Sequence, residues 1–304
     1  MQADRGQDWY VYVLTSSGND YLPEIAAISI ASLRLAHPDA RIAMLSDRET
    51  SAIASPGLTA IRPFIDNFVV VDCPGRSPLE RSRYLKTSVR LLLSGRLLYL
   101  DCDTIIMRCP KSIWDLDADI AASPDLSSDG KFCLASDKLS DLTKKLGWRV
   151  LPRTYLNAGV VFYSDNQASY AVAAQLHRSW IEYSRAMGHY HDQPAFNHAI
   201  HTVEPKLLVL PVVYNAQISM DVMAARGAII VHYFTGVIAN SEDIIAHVLA
   251  KRLKNDGILD TSALATAIEA GNPWVRINSY RKAIATGRFA SIGKVAISRL
   301  SKRA

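Results

Sequence analysis

Short, wholly apolar stretches alternate with longer stretches of helical periodicity through the first hundred residues. Residues 9–15 are a β-rich run, the turn residues 16–20 follow, and 21–35 then reads as a helix with Pro23 in its first turn, where a missing N–H costs least. Residues 41–46 and 68–72 are further short apolar runs, and 79–94 reads as a helix that delivers the run 96–101. Uninterrupted apolar runs separated by helices predict strands buried on both faces, in an α/β domain with a mostly parallel sheet. Past the middle the pattern loosens. Loops surround 124–131, Leu156–Tyr163 is a strand, 166–187 a helix, a shorter helix begins near Pro194, and 228–231 is the last buried strand. From Ser241 onward the pattern is helical only, broken at Gly257, Gly271 and Gly287.

With domains usually running about 100–200 residues, a chain of 304 residues holds one large or two ordinary domains. At 49% hydrophobic and 21% charged, the composition excludes wholesale disorder and fibrous repeats. No run approaches the roughly 20 apolar residues needed to cross a bilayer, and the first eight residues are polar where a secretory signal would be apolar, so a cytoplasmic protein is expected. Cys73, Cys102, Cys109 and Cys133 form no CxxC pair and are read as reduced. The net charge of +5 is uneven, because residues 276–304 hold eight Lys or Arg and no acid, leaving −3 for residues 1–275.

The sharpest local feature is the run 97–103, Leu-Leu-Tyr-Leu-Asp-Cys-Asp. In extended chain, residues two apart share a face, so Asp101 and Asp103 leave the end of a buried strand as convergent carboxylates. Such hard oxygen ligands suit Mg²⁺ or Mn²⁺, and ligands of open α/β sheets collect beyond the carboxyl ends of strands. The sequence carries its own control: residues 115–119 repeat the DxD spacing twice with no strand leading in. A phosphatase of the haloacid dehalogenase type also opens on Asp-x-Asp at a strand end, but there the motif begins the domain, whereas here about a hundred residues precede it. Three further features follow. Asn157-Ala158-Gly159 interrupts an apolar strand, as a sugar-binding break or a β-bulge. His191-Asp192-Gln193-Pro194 stands at a helix start, either as plain capping or as groups that read a ligand. His232 closes the apolar run 228–231, where an imidazole beside two carboxylates makes an N/O set that Mn²⁺ accepts.

In this order, these features resemble the family 8 retaining glycosyltransferases, the group of glycogenin and the bacterial lipopolysaccharide galactosyl- and glucosyltransferases, over roughly residues 9–236. The resemblance implies a GT-A (Rossmann-like) catalytic domain over 1–240 followed by a helical, basic extension over 241–304. It implies transfer of a hexose, glucose or galactose, from a UDP-sugar to an acceptor hydroxyl with retention, the acceptor being a glycan or glycolipid. It also implies Mn²⁺ (or Mg²⁺) held by Asp101, Asp103 and His232, donor binding by Thr15, Asn19, Tyr21, Lys86, Cys102, Asn157 and Ala158, and catalysis by Asp192 and Gln193. Beside this, Arg83, Lys86 and Arg90 share one helical face, suited to a diphosphate or to solvent. The family usually has His-x-x-Gly and then a phosphate-gripping Lys. Here Gly236 lies one residue later and Val237, Ile238 and Ala239 supply no cation. The rivals are the phosphatase using Asp101 and Asp103, and a nucleotide- or membrane-binding module without turnover.

The basic end, read as helix after Gly287, sets Phe289, Ile292, Val295 or Ala296, and Leu300 at three- and four-residue steps, with Arg288, Lys294, Arg299, Lys302 and Arg303 over much of the rest. A helix of this kind is expected to lie on an anionic membrane surface, placing the enzyme peripherally on the inner face. Nucleic acid is not expected as a partner, since only Tyr280 and Phe289 could stack and the body is net acidic.

Overall fold

A computed structural model describes residues 7–73, 77–127, 129–148, 153–234 and 244–275. Ten strands are found among them: β1 Asp8–Leu14, β2 Ile42–Asp47, β3 Asn67–Val71, β4 Arg96–Leu100, β5 Thr104–Ile106, β6 Ile120–Pro124, β7 Leu156–Tyr163, β8 Leu207–Val209, β9 Ala216–Gln217 and β10 Ile230–His232. The helices are α1 Leu22–Ala36, α2 Arg48–Ser51, α3 Pro56–Ile61, α4 Pro78–Leu92, α5 Ala135–Lys138, α6 Ser140–Leu146, α7 Gln167–Met187, α8 Gln193–Val203, α9 Ile245–Asp256 and α10 Thr261–Glu269.

Seven strands form the main sheet in the order β3-β2-β1-β4-β7-β6-β8, and β5, β10 and β9 form a small second sheet. The β3, β2, β1 and β4 neighbours are parallel, whereas β7 runs antiparallel to β4 and β6. The uninterrupted apolar runs have the meaning expected of them. In β1, Val11 and Val13 enter one core layer with Leu85 and Val89 of α4, while Tyr10, Tyr12 and Leu14 enter the opposite layer with Ala26, Ile30 and Leu33 of α1. Strand β4 divides likewise, Leu97 and Tyr99 to the first layer, Leu98 and Leu100 to the second. Both faces of the sheet are therefore dry at its centre, and its polar chemistry is displaced to the strand ends.

Strands were legible at β1, β2, β3, β4, β7 and β10. The sequence reading missed β5, β6, β8 and β9, which are short or polar at one end, and it assigned Pro124 to a loop although β6 ends there. Helices α9 and α10, expected in a separate extension, pack against α1 and share a buried cluster with Ile105, Val231 and Tyr233 through Leu249, Leu264 and Trp274. All four cysteines are free, in line with the reduced state expected. Among the described residues, no helix is long and apolar enough to cross a membrane. The basic segment 276–304 and residues 236–239 lie outside the described residues.

Candidate active site

The parallel strands β1 and β4 are hydrogen-bonded neighbours, so the loops leaving their carboxyl ends emerge side by side. After β1, Asp20 organises the turn: its Oδ1 accepts from Ser16 Oγ at 2.8 Å and its Oδ2 from the Ser17 amide at 2.8 Å. Thr15 Oγ1 donates to the Pro78 carbonyl at 2.7 Å, tying this loop to the start of α4. Between them lies a cavity of about 620 Å³ lined by Thr15, Ser17, Asp20, Leu22, Pro78, Leu79, Arg83, Asp101, Cys102 and Asp103. It opens beside a second cavity of about 790 Å³, reached by Lys86, Asp125, Asn157, Gly159, Asp192, Gln193 and His232. The two share Arg83, Asp101 and Asp103, which stand at their junction.

At this junction β5 and β10 pair antiparallel with His232 opposite Thr104, and the Tyr233 amide donates to the Asp103 carbonyl at 3.1 Å. That register carries the imidazole to the carboxylates: His232 Nε2 lies 3.2 Å from Asp103 Oδ1 and 3.9 Å from Asp101 Oδ2. One ligand atom from each of the three residues falls within 4.8 Å of the others. Oxygen and nitrogen ligands at about 2.1 Å from an octahedral ion stand about 3 Å apart when adjacent and about 4.2 Å apart when opposite, so the set has the span of a cation's coordination sphere. Gly159 supports the same reading. A Cβ there would lie 2.2 Å from His232 Cε1 and 2.8 Å from Asp101 Oδ2, so the chain keeps this cradle clear of even a methyl group. The residues fit a divalent cation.

Around the cradle the charges are paired. Asp101 Oδ1 accepts from Lys86 Nζ at 2.9 Å and from Tyr99 Oη at 2.5 Å. The same Lys86 ammonium lies 3.1 Å from Asp192 Oδ2, and Arg83 Nε is 3.1 Å from Asp192 Oδ1. Burial alone would push the Asp192 carboxyl up, but Lys86 and Arg83 together hold it below the usual carboxylate range. Burial likewise opposes the charge on Lys86, and Asp101 and Asp192 outweigh it, keeping the ammonium protonated. Burial, then Asp101, raises the Tyr99 phenol, so it remains a donor.

Asp192 and Gln193 could have been mere capping residues. The Asp192 side chain makes no capping hydrogen bond to α8 and pairs with the two cations, while Gln193 Oε1 reaches the Ala158 amide at 3.4 Å. Of the basic trio, Arg83 and Lys86 face the cavities, whereas Arg90 is buried and bonded to Asp165 and the Gly95 carbonyl. The reading of one shared diphosphate face therefore fails for Arg90. Cys102 lines the first cavity through its position between the two acids, its thiol pushed up by burial and its Sγ 3.3 Å from the Val13 carbonyl. Asn19 and Tyr21 do not line either cavity; both are exposed, and the Tyr21 ring lies 4.5 Å from Lys254 Nζ of α9. Asn157 reaches the second cavity but is only 4% exposed, with its amide already engaged by protein groups. The competing DxD repeat has other work: Asp117 pairs with Lys206 in solvent, and Asp119 accepts from Asn166 Nδ2 and the Lys206 amide.

No family model and no curated protein matches the sequence. Solved structures do. The galactosyltransferase LgtC, in complex with donor and acceptor sugar analogs, superposes with a TM-score of 0.55 at 17% identity, over 91% of this chain and 100% of its own. The chain has the GT-A fold. An active-site mutant of LgtC matches equally, with a TM-score of 0.55 at 15% identity over 91% of this chain and 99% of its own. Mouse xyloside xylosyltransferase 1 in its apo form matches with a TM-score of 0.50 at 14% identity, over 75% of this chain and 98% of its own. At these identities the likeness is one of fold.

Tyr99, Asp125 and Asn215 are not legible as site residues in the sequence, and the close approach that a glycine within a strand suggests at Gly159 proves to be that of His232 and Asp101. Asn215 did leave a signal: Asn215 and Gln217 are the two amides inside the otherwise apolar run 207–218, where a polar side chain needs a buried partner.

Proposed function

We propose that the protein is a metal-dependent glycosyltransferase of the family 8 type, moving glucose or galactose from a UDP-sugar to an acceptor hydroxyl with retention of configuration. The observation that carries the reading is the Asp101, Asp103 and His232 cradle at the junction of two cavities on a GT-A fold. The cavity beside Thr15 to Leu22 takes the nucleotide, and the one beside Asp192 takes the sugar and the incoming hydroxyl. A Mn²⁺ or Mg²⁺ ion held by the cradle supplies Lewis-acid stabilisation to the departing diphosphate, whose charge grows as the glycosidic bond breaks. Arg83 borders both cavities and offers a cation for that diphosphate, in place of the Lys that the family carries after its late histidine.

Asp192 is held ionised beside the sugar, where a negative charge favours an oxocarbenium-like centre. Both of its oxygens are already engaged, one by Arg83 and one by Lys86, which weakens it as a nucleophile. That favours attack by the acceptor from the front face, with Asp192 and Gln193 steadying the sugar, over a double displacement. A phosphatase is not favoured: the Asp101 carboxylate that would attack is clamped by Lys86 and Tyr99. We extend the reading to the acceptor, a surface glycan or glycolipid, presented at an anionic membrane surface that residues 276–304 would bind.

The test is incubation with UDP-glucose and UDP-galactose, with and without Mn²⁺. Slow, metal-dependent release of UDP is expected even without acceptor. Release of inorganic phosphate from simple phosphoesters would replace the reading by the phosphatase, and UDP binding without turnover on any donor would reduce the protein to a binding module. Asp103→Ala should lower metal-dependent turnover at least about a hundredfold while Asp117→Ala does not, since several kcal/mol of charge stabilisation at about 1.4 kcal/mol per decade is lost only in the first.

A further inference from the structure

A chain of hydrogen bonds runs from Asp125 to His232 behind the cradle, and each of its amide orientations is fixed by a neighbour. Gly159 N–H donates to one amide atom of Asn157 at 2.9 Å, and a backbone N–H can only donate, so that atom is the oxygen, Oδ1. The other terminal atom, Nδ2, then meets Asp125 Oδ1 at 2.9 Å, a carboxylate that can accept. Asn157 Oδ1 has a second partner, Asn215, at 2.8 Å, and facing an oxygen the Asn215 atom must be its donor, Nδ2. Asn215 therefore turns its carbonyl oxygen to His232 Nδ1, 2.9 Å away. An acceptor there requires Nδ1 to carry the proton. In the neutral imidazole, the lone pair then sits on Nε2, the nitrogen that faces Asp103 and Asp101.

The links nearest the ring are dry, while Asp125 at the far end borders the second cavity. Asn215 is 0% exposed, Asn157 4% and His232 2%, so no water competes for the imidazole N–H. The relay also explains why Asn157 and Gly159 stand together on β7. One sets the amide orientations; the other leaves room for the ring and, through its carbonyl, accepts the Asp101 amide at 2.8 Å.

We propose that Asn215 is a positioning residue of the metal cradle. Seated by Asn157 and ultimately by Asp125, it holds His232 in the Nδ1–H tautomer and so presents Nε2 as the nitrogen ligand for a divalent cation. This rests on the metal-dependent reading given above. It assigns Asn157 a role in assembling the cradle, separate from any contact with the sugar. Outer partners of metal-binding histidines typically change metal affinity 10–100-fold when removed.

Two measurements test it. Imidazole ¹⁵N NMR of the wild-type protein with Mg²⁺ added, so that a cation and not a proton lies between Nε2 and Asp103, is expected to show His232 protonated at Nδ1 and bare at Nε2. The opposite tautomer would overturn the proposal, and this readout needs no variant that might misfold. The second is Mn²⁺ titration, followed by electron paramagnetic resonance, of Asn215→Leu and Asn215→Asp. Leu keeps the volume but offers no acceptor, so affinity should fall tenfold to a hundredfold; Asp keeps an oxygen opposite Nδ1 but sets its other oxygen against Asn157 Oδ1, so its affinity should lie between those of wild type and Leu, and an Asp variant no better than Leu would count against the role. Equal wild-type affinity in both variants would overturn the role of Asn215 alone. Failure of the wild-type protein to bind Mn²⁺ would instead overturn the metal reading of the site.

Discussion

Substituting Gly159 by Ala replaces a hydrogen with a methyl group at a crowded point of the cradle. Gly159 does not lie in the left-handed region, so the difficulty is space and not backbone strain. The new Cβ would stand 2.2 Å from His232 Cε1, and 2.8 Å from both His232 Nδ1 and Asp101 Oδ2. Carbon atoms pack comfortably at about 3.5–4.0 Å, so the ring must retreat by more than about 1 Å or strand β7 must be pushed away. Neither is easy. The imidazole is tethered to Asn215, and β7 is paired with β4 and β6 on its two sides. Metal ligands tolerate deviations of about 0.2 Å, so a displacement several times larger removes His232, or Asp101, from the coordination set. The expected outcome is a loss of Mn²⁺ affinity of at least about tenfold, with a corresponding loss of UDP release, and an overpacking cost of about 1–3 kcal/mol. At about 2–4 °C per kcal/mol for a domain of this size, the melting temperature should fall by several degrees. Manganese titration and a thermal melt on the same preparation check both parts. Wild-type manganese affinity in Gly159→Ala would refute the argument that the glycine exists to make room for the ligands.

Asp192→Asn removes the carboxylate that Arg83 and Lys86 share, and turnover should fall about a hundredfold or more while UDP affinity by calorimetry stays within about threefold; a parallel loss of UDP binding would move Asp192 to the nucleotide cavity. Far from the cradle, His198 stacks on Trp148 with ring centroids 4.1 Å apart, and burial lowers its imidazole to about 4. Because the folded value lies below the unfolded one of about 6.5, its contribution to stability is complete above pH 6.5 and is lost as pH falls through 4. The shift alone corresponds to about 3 kcal/mol, and discounting by half for a ring partly open to solvent leaves about 1.5 kcal/mol. Between pH 7 and pH 4 the unfolding free energy from urea titration should fall by about that much more in wild type than in His198→Gln, and equal falls would refute it.

The line between sequence and structure falls where local chemistry gives way to convergence. The apolar runs of β1, β2 and β4 were legible because a strand covered on both faces has no polar position to spare, and Asp101 and Asp103 stood out because they break such a run. Strand β5, only three residues long, and β9, only two, carry too little pattern to be read alone, yet their pairing with β10 delivers His232 to the carboxylates. Asp192 shows the same limit. At a helix start its identity fits a cap as well as a ligand, and only the packing of α4 beside it, with Arg83 and Lys86 within 3.1 Å, shows that the side chain pairs with two cations and does not cap. Arg90, one turn further along that helix, was indistinguishable from its neighbours by spacing, but it points into the core toward Asp165. Asn215 and Gly159 are the clearest case. An amide and a missing side chain acquire meaning only from atoms 56 residues apart in sequence being brought around one imidazole, because hydrogen-bond direction and excluded volume are properties of the folded neighbourhood and not of the residues themselves.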